Sequence, residues 1–278
     1  MNKEKILILD FLSLFYAYAF AYKDIYNSKQ FPIGGIFGLL NYIFSIKTKY
    51  KVDKIICVLE GTNSKNNFRR ELLSSYKTNR APMPEFLTLQ LPVVVKLLEA
   101  LNIRIESHEN WEADDSVSSL ANIFCDKFEV IIVSRDKDLL QMVSSEKNIS
   151  VLSKHVLFKT ESSVKKKIGV FPCQVADFLA LAGDSSDNIP GIYLIGTKTA
   201  IKLLEQFSNI EDMIENIEKI INPRQKNKIS SNIEQLKFFK QITTVCKELP
   251  FEKIDLKNTN FLSSSYLDLS KELELHLV

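Results

Sequence analysis

Apolar residues along this chain come in short runs that stop at a carboxylate. The runs "EKILILD" (4–10) and "VDKIICVLE" (52–60) are rich in Ile, Val and Leu, as is the start of "KFEVIIVSRDKD" (127–138), and each meets an acidic residue as it ends. Continuous apolar stretches of this length predict strands buried on both faces, and 102–106 is a shorter candidate of the same kind. Between them, residues 33–45, 89–101 and 113–124 repeat their apolar positions at helical spacing. Strand and helix in alternation predict an α/β fold, a mostly parallel sheet with helices on both faces. The carboxyl ends of its strands share one edge, which would gather Asp10, Glu60, Asp136 and Asp138 there.

Beyond residue 160 the strand pattern gives way to helices, expected at 160–168, 172–181, 197–206, 209–221 and 233–249. The stretch "NPRQKNKISSN" (222–232) reads as a polar surface loop, and 250–278 carries no assignable pattern. The expected organisation is an α/β core over 1–160 and a helical region over 161–278, with no flexible linker between them.

Composition narrows the class. With 278 residues and 45% hydrophobic content the chain can bury a substantial core. Its four cysteines are scattered without a CxxC pair, which argues against a zinc knuckle or a disulfide framework and suits a reducing compartment. The start "MNKEKILILDFLSLFYAYAFAY" imitates a signal peptide, but Asp10 interrupts it and no small-x-small cleavage site follows. No run reaches the ~20 uncharged apolar residues that span a bilayer. The expectation is a soluble, cytoplasmic monomer with no membrane partner.

The acidic residues carry the candidate chemistry. In "NWEADDSV", Glu112, Asp114 and Asp115 stand at a helix start, where unpaired N–H groups favour carboxylates, so capping alone accounts for them equally well. In "SRDKDLLQMV", Asp136 and Asp138 follow a strand, and a solvated turn would look the same. In "GDSSDNIPG", Asp184 and Asp187 share a face if the turn is helical. With Asp10 and Glu60 these make nine carboxylates, whose mutual repulsion is tolerable at one site only with a compensating cation. Oxygen-only ligands indicate Mg²⁺ or Mn²⁺ rather than zinc. Two such ions about 4 Å apart form the usual clamp for phosphodiester hydrolysis. Setting nine of the 34 carboxylates aside leaves 25 against 36 basic residues, so a near-neutral total can conceal a basic nucleic-acid face.

Part of that face is "KNNFRRELLSSYKTNR" (65–80), where Lys65, Arg69, Arg70, Lys77 and Arg80 are interleaved with Phe68 and Tyr76. The mixture suits phosphates and exposed bases, although a solvated helix needs no ligand to carry it. Pro82 and Pro84 forbid one straight helix, so a mobile arch over the strand ends, about 64–90, is the sharper reading. The stretch "DNIPGIYLIGTKTAIKLLEQF" reads as helix, hairpin, helix around 187–206. Gly191 and Gly196 would let the backbone approach a phosphate, with N–H groups from Thr197 and the Lys198 ammonium binding it. A plain Pro-Gly turn before a capped helix is the alternative.

The runs "FRRELLSSYKTNRAPMP", "EADD", "SRDKDLLQMV" and "DFLALAGDSSDNIPGIYLIGTKTAIKLL" occur in this order and resemble the bacterial and phage 5'-3' exonucleases, or flap endonucleases, including the nuclease domain of DNA polymerase I. The resemblance implies a PIN-like core, a helical arch and a helix-hairpin-helix variant that binds duplex DNA. It implies a first metal site of Asp10, Glu60, Glu112 and Asp114, and a second of Asp136, Asp138 and Asp187. Asp114 would lie near both ions, and Asp115 and Asp184 would assist through water. Lys77 would contact the scissile phosphate and Arg80 guide it, with Phe68 or Tyr76 stacking on a displaced base. The implied partners are DNA with a 5' end, flap or junction, an RNA primer–DNA hybrid, and a separate DNA polymerase.

Three positions depart from the family pattern. Glu60 replaces the usual Asp, moving its carboxylate by roughly 1.5 Å and raising the prospect of an Mn²⁺ preference. Phe11 replaces a Gly and would bring bulk near the metal edge. Leu194 replaces a Gly in the hairpin and would weaken the phosphate nest. Two alternatives therefore stand beside the nuclease: a catalytically weak junction-binding protein of the same fold, and an Mg²⁺-dependent phosphatase acting on small esters.

Overall fold

The computed structural model describes residues 3–63, 67–260 and 262–276. Its centre is a six-stranded sheet of β1 (Glu4–Asp10), β2 (Lys54–Val58), β3 (Arg104–Glu106), β4 (Phe128–Val133), β5 (Ile149–Ser153) and β6 (Val156–Phe158) in the order β3-β2-β1-β4-β5-β6. All neighbours are parallel except β6, which returns antiparallel along β5. Alternation along the strands divides the core in two. Ile6, Ile8, Ile56, Val58, Val130 and Ile132 face one side, where α5 (Ala113–Phe124) and the helices between residues 161 and 243 pack, whereas the last helix, at 264–272, packs on the opposite side. Leu7, Leu9, Ile55, Cys57, Ile131 and Val133 face the other, against α1 (Phe11–Ala21), α2 (Gly34–Tyr50) and α4 (Glu85–Ala100). Burial on both faces is why these strands read as unbroken apolar runs.

The C-terminal region is helical, as expected: α6 (Glu161–Ile168), α7 (Val175–Ala182), α8 (Thr197–Gln206), α9 (Ile210–Glu215), α10 (Pro223–Ser230), α11 (Ile233–Thr243) and α12 (Ser264–Glu272). The expected polar loop at 222–232 is a correction. Asn222 caps α10 by accepting from the N–H groups of Arg224 and Gln225, and Pro223 occupies the first helical position, where no amide is needed. The helix expected at 209–221 is broken after Glu215 into a 3-10 turn at Ile217–Lys219, and that expected at 233–249 ends at Thr243. Among the described residues, no helix is long and apolar enough to cross a membrane.

The arch is not one helix. From residue 67 it holds the short helix α3 (Phe68–Leu72), then turns to residue 79 and an extended stretch through Pro84, after which α4 begins at Glu85 and takes up its last residues. Lys65 lies outside the described residues. The Lys77 backbone takes φ +54, and its N–H donates to the Asp187 carbonyl at 3.0 Å. The Asn79 amide donates to the Ser185 carbonyl and the Asn188 amide to the Ser75 carbonyl, each at 2.8 Å. These bonds hold the segment down against the 184–189 turn instead of letting it stand clear.

Candidate active site

Parallel topology brings the ends of β1, β2 and β4 to one edge, and the acidic residues meet there. Asp10 closes β1 and is almost fully buried. The Ser134 hydroxyl, one residue past β4, donates to Asp10 Oδ2 at 2.5 Å and accepts from the Asp136 N–H at 2.9 Å. Asp136 in turn accepts from the Asp138 N–H at 2.9 Å, which tightens the turn that sets both aspartates. The Ala113 N–H at the mouth of α5 donates to Glu60 Oε2 at 3.3 Å. Asp10, Glu60, Asp114 and Asp136 line a cleft of about 730 Å³ together with Lys77 and Arg80.

On the second side of the site, oxygens of Asp138, Asp184 and Asp187 lie within 4.8 Å of one another. Asp184 and Ile189 exchange two backbone hydrogen bonds of 2.8 Å, closing the turn that presents Asp184 and Asp187. Asp138 Oδ1 is buried without a hydrogen-bond partner among the described residues. An orphaned carboxylate oxygen in an oxygen-only cluster fits a hard divalent cation, which would supply the missing contact.

The electrostatics have the same sense. Burial, helped by Asp136, pushes Asp10 up to about 6, against the hydrogen bond from Ser134. Burial and the neighbouring aspartates hold Asp114 and Asp138 well above the usual carboxylate range, and Asp136 is raised too. Asp184 is also desolvated, but the Lys137 ammonium at 2.8 Å and the Ser186 hydroxyl outweigh this and hold it low. Charge is crowded here beyond what the protein's own cations neutralise.

The basic segment divides into residues that face the cleft and residues that do not. Lys77 is buried, with its ammonium 2.7 Å from Glu112 Oε1 and 3.7 Å from Asp187. Desolvation works against its charge, but those carboxylates outweigh it and raise the pKa. Arg80 pairs with Asp187 at 2.7 Å and remains about half exposed. Tyr76 is buried and donates towards Glu112 at 2.9 Å and Asp187 at 3.1 Å, so its ring offers no face to a displaced base. Phe68 is half-buried, its ring 5.6 Å from that of Trp111. Arg70 is half-buried beside it in α3.

Arg69 and Asp115 correct the reading most. Arg69 is 3% exposed and reaches Asp115 through two hydrogen bonds of 2.6 and 2.8 Å; Asp115 is 0% exposed. The guanidinium also donates to the carbonyls of Ile242 and Thr244, and Asp115 accepts from the Cys246 N–H at 2.7 Å. Arg69 is thus not placed to meet DNA, nor Asp115 a metal-bound water. The pair fastens the arch base and α5 to the segment after α11, and Arg69 Nη1 lies 3.4 Å from Glu112.

The hairpin glycines also separate. Gly191 has φ +67, and a Cβ there would stand 2.3 Å from the Gly183 nitrogen, so packing within the chain requires it. A Cβ on Gly196 would meet nothing within 4 Å, and Thr197 and Lys198 beyond it are exposed. Leu194 keeps the left-handed backbone a glycine would take, with φ +68 and its side chain 70% exposed. Phe11 turns away from the metal edge: its ring is buried in the core, stacked on Phe15 at 5.2 Å. Several residues at the cleft escaped the sequence reading, among them Tyr16, Phe20, Arg135 and Lys154. The spacing of Tyr16 and Phe20 by one helical turn was the available signal.

Comparison with known proteins agrees with this architecture. The family model for the N-terminal resolvase-like domain of 5'-3' exonucleases matches residues 5–169, and that for their C-terminal SAM fold matches 170–264. The 5'-3' exonuclease of Buchnera aphidicola subsp. Schizaphis graminum is 38% identical over 257 residues, covering 92% of this chain and 88% of that protein. The bacteriophage T5 5'-exonuclease, solved with divalent metal ions (zinc) bound, has the same fold: TM-score 0.74, 19% identity, 86% of this chain and 89% of that one. A complex of the T5 D15 flap endonuclease with DNA and metal ions gives 0.70 at 18% identity, over 96% and 92%. With both of its regions matched and the acidic residues gathered at one sheet edge, the chain belongs to the 5'-3' exonuclease family and is a nuclease.

Proposed function

We propose that this nuclease hydrolyses DNA phosphodiesters at a 5' end, 5' flap or junction in a reaction that depends on two divalent ions, Mg²⁺ or Mn²⁺. The observation that carries it is the meeting of Asp138, Asp184 and Asp187 within 4.8 Å, with an orphaned Asp138 oxygen. The T5 relatives with metal ions and DNA lend support. Asp10, Glu60, Glu112 and Asp114 would hold one ion, and Asp136, Asp138 and Asp187 the other, with Asp184 at the edge of the second. Bound there, the ions would polarise phosphoryl oxygens and lower the pKa of an attacking water.

The chain's own residues do the rest. Lys77 stays charged at neutral pH and, with Arg80, offers N–H donors at the cleft to the negative charge that grows on the phosphoryl oxygens. Ser134 fixes the Asp10 carboxylate and the turn carrying Asp136. Gly196, Thr197 and Lys198 grip the duplex by its backbone, which favours junction shape over sequence. We place the reaction in the cytoplasm, carried out by a monomer beside a separate DNA polymerase, with primer RNA–DNA hybrids among its substrates. The test is a 5'-flap duplex labelled at either end, incubated with Mg²⁺, Mn²⁺ or EDTA beside a small phosphate ester. Metal-dependent cuts at the junction are expected; ester hydrolysis without DNA cleavage would overturn the proposal in favour of a phosphatase.

A further inference from the structure

A groove of about 510 Å³ opens at the amino end of β5, away from the cleft and sharing no lining residue with it. Helix α5 spans the distance between them. Ala113 at its start lines the cleft, and Asn122, roughly 13 Å further along the axis at ~1.5 Å per residue, lines the groove. Met142, Val143, Ile149 and Pro172 give the groove a buried apolar floor, and Phe171 stands in its wall 37% exposed. A floor with a methionine among aliphatic carbons adapts to apolar side chains of different shape.

Charge in the groove is positive and unspent. Lys147 and Lys247 line it, and the Lys165 ammonium lies 4.5 Å from the centroid of the Phe171 ring. None of the three makes an ion pair with a described residue. Partial desolvation and the Lys147 charge lower the Lys247 pKa, as expected of a cation without a carboxylate beside it. The acid in the lining, Glu161, has its oxygens engaged by the Ser145 N–H at 2.9 Å and the Ser145 hydroxyl at 2.6 Å. The amide side chains are engaged as well. Gln141 donates to the Thr243 carbonyl at 2.9 Å and accepts from the Val245 N–H at 3.4 Å, while Asn122 accepts from Lys147 at 2.8 Å and donates to the Lys247 carbonyl at 3.4 Å. The groove therefore offers a visitor ammonium charge beside aliphatic surface.

We infer that this groove docks an acidic, aliphatic peptide segment of a partner protein, with carboxylates meeting Lys147, Lys165 and Lys247 and apolar side chains resting on Met142, Val143 and Ile149. The inference is independent of how the cleft meets its substrate. Two features favour a peptide over a nucleotide: the floor is aliphatic where a base would want a ring to stack on, and the amides that would read a base edge are already bonded within the chain. Lys165 already covers the ring of Phe171. A groove of this size takes only a few side chains, so the contact belongs to the weak, transient class. Because it lies at the far end of α5 from the cleft, an occupied groove leaves the cleft open to substrate.

The probe is a fluorescein-labelled peptide that alternates aspartate and leucine, titrated into the full chain and into Lys147→Ala/Lys247→Ala with polarisation as the readout. Micromolar binding is expected, weakened by salt and about tenfold weaker in the double variant, the sum of two exposed ion pairs. Peptides with serine for leucine, or lysine for aspartate, should not bind measurably. A second readout locates the site. Cys173 is an exposed thiol in the groove lining, so saturating peptide should slow its alkylation by N-ethylmaleimide severalfold, followed by mass spectrometry. Both lysines are exposed, so an unchanged melting curve verifies the fold of the variant. No binding of the acidic peptide, equal affinity for the double variant, or unchanged Cys173 alkylation would each overturn the inference. Displacement of the peptide by a nucleoside monophosphate at equal concentration would overturn it in favour of a nucleotide site. A double variant that loses duplex binding or flap cleavage in step with peptide binding would overturn it in favour of a nucleic-acid surface.

Discussion

Replacing Asp115 by Asn keeps the side chain's shape and removes its charge. Arg69 then stays buried with its partner neutralised: the amide oxygen accepts one of the two N–H groups, the amide NH2 opposes the other, and the carbonyls of Ile242 and Thr244 and Glu112 at 3.4 Å remain. Breaking one side of a buried pair costs about 3–5 kcal/mol, because the surviving charge is left uncompensated. For a chain of this size each kcal/mol moves the melting temperature by about 2–4 °C, so Asp115→Asn should melt roughly 10 °C lower. Arg69→Leu should cost a similar amount through the stranded Asp115 carboxylate. The double variant Arg69→Leu/Asp115→Leu should recover much of the loss, since neither charge is then buried. Differential scanning calorimetry on the four proteins completes the cycle. Singles within ~1 kcal/mol of the starting protein, or a double variant that sums the two losses, would refute the view that this pair locks the arch base to α5.

Two further outcomes follow from the same geometry. Asp10, Asp114, Asp136 and Asp138 bind protons more tightly folded than unfolded, so in EDTA stability should fall as pH rises from about 4 through about 6 and beyond; for Asp10 alone this amounts to roughly 3 kcal/mol. Asp184, held low, contributes only below that window. Added Mg²⁺ should raise the melting temperature more at pH 7.5 than at pH 5, and a melting temperature that climbs with pH in EDTA would contradict this. Leu194→Gly should stabilise the chain by about 1 kcal/mol, because it relieves a left-handed backbone without removing a buried side chain. A lower melting temperature for that variant would show that the exposed leucine packs to some effect.

How much of this could be read in advance depended on where each signal lay. Unbroken Ile and Val runs ending on acids announced β1, β2 and β4 and the edge they share. The helix α1 was not legible, because "FLSLFYAYAF" is apolar on every side and shows no helical period. The short hairpin of β5 and β6 sits in a polar neighbourhood, and the polar composition of 222–232 masks α10 although Asn222-Pro223 is a helix start signal. Within the site, carboxylates at strand ends were visible, but burial was not. Arg69 and Arg70 are identical in type and adjacent, and only the fold shows that Arg69 is buried against an aspartate 46 positions away. Gly191 and Gly196 likewise look equivalent until their surroundings are known.

The central claim is that the clustered carboxylates hold the ions that cleave DNA, and Asp138→Asn tests it most directly. The exchange keeps volume, removes one charge from a crowded cluster, and should raise stability in EDTA, so a loss of activity would not reflect misfolding. Single-turnover cleavage of a 5'-flap duplex in Mg²⁺ should fall by on the order of a thousandfold, with EDTA abolishing the remainder. A rate within twofold of the unaltered chain, or one that persists in EDTA, would contradict the account.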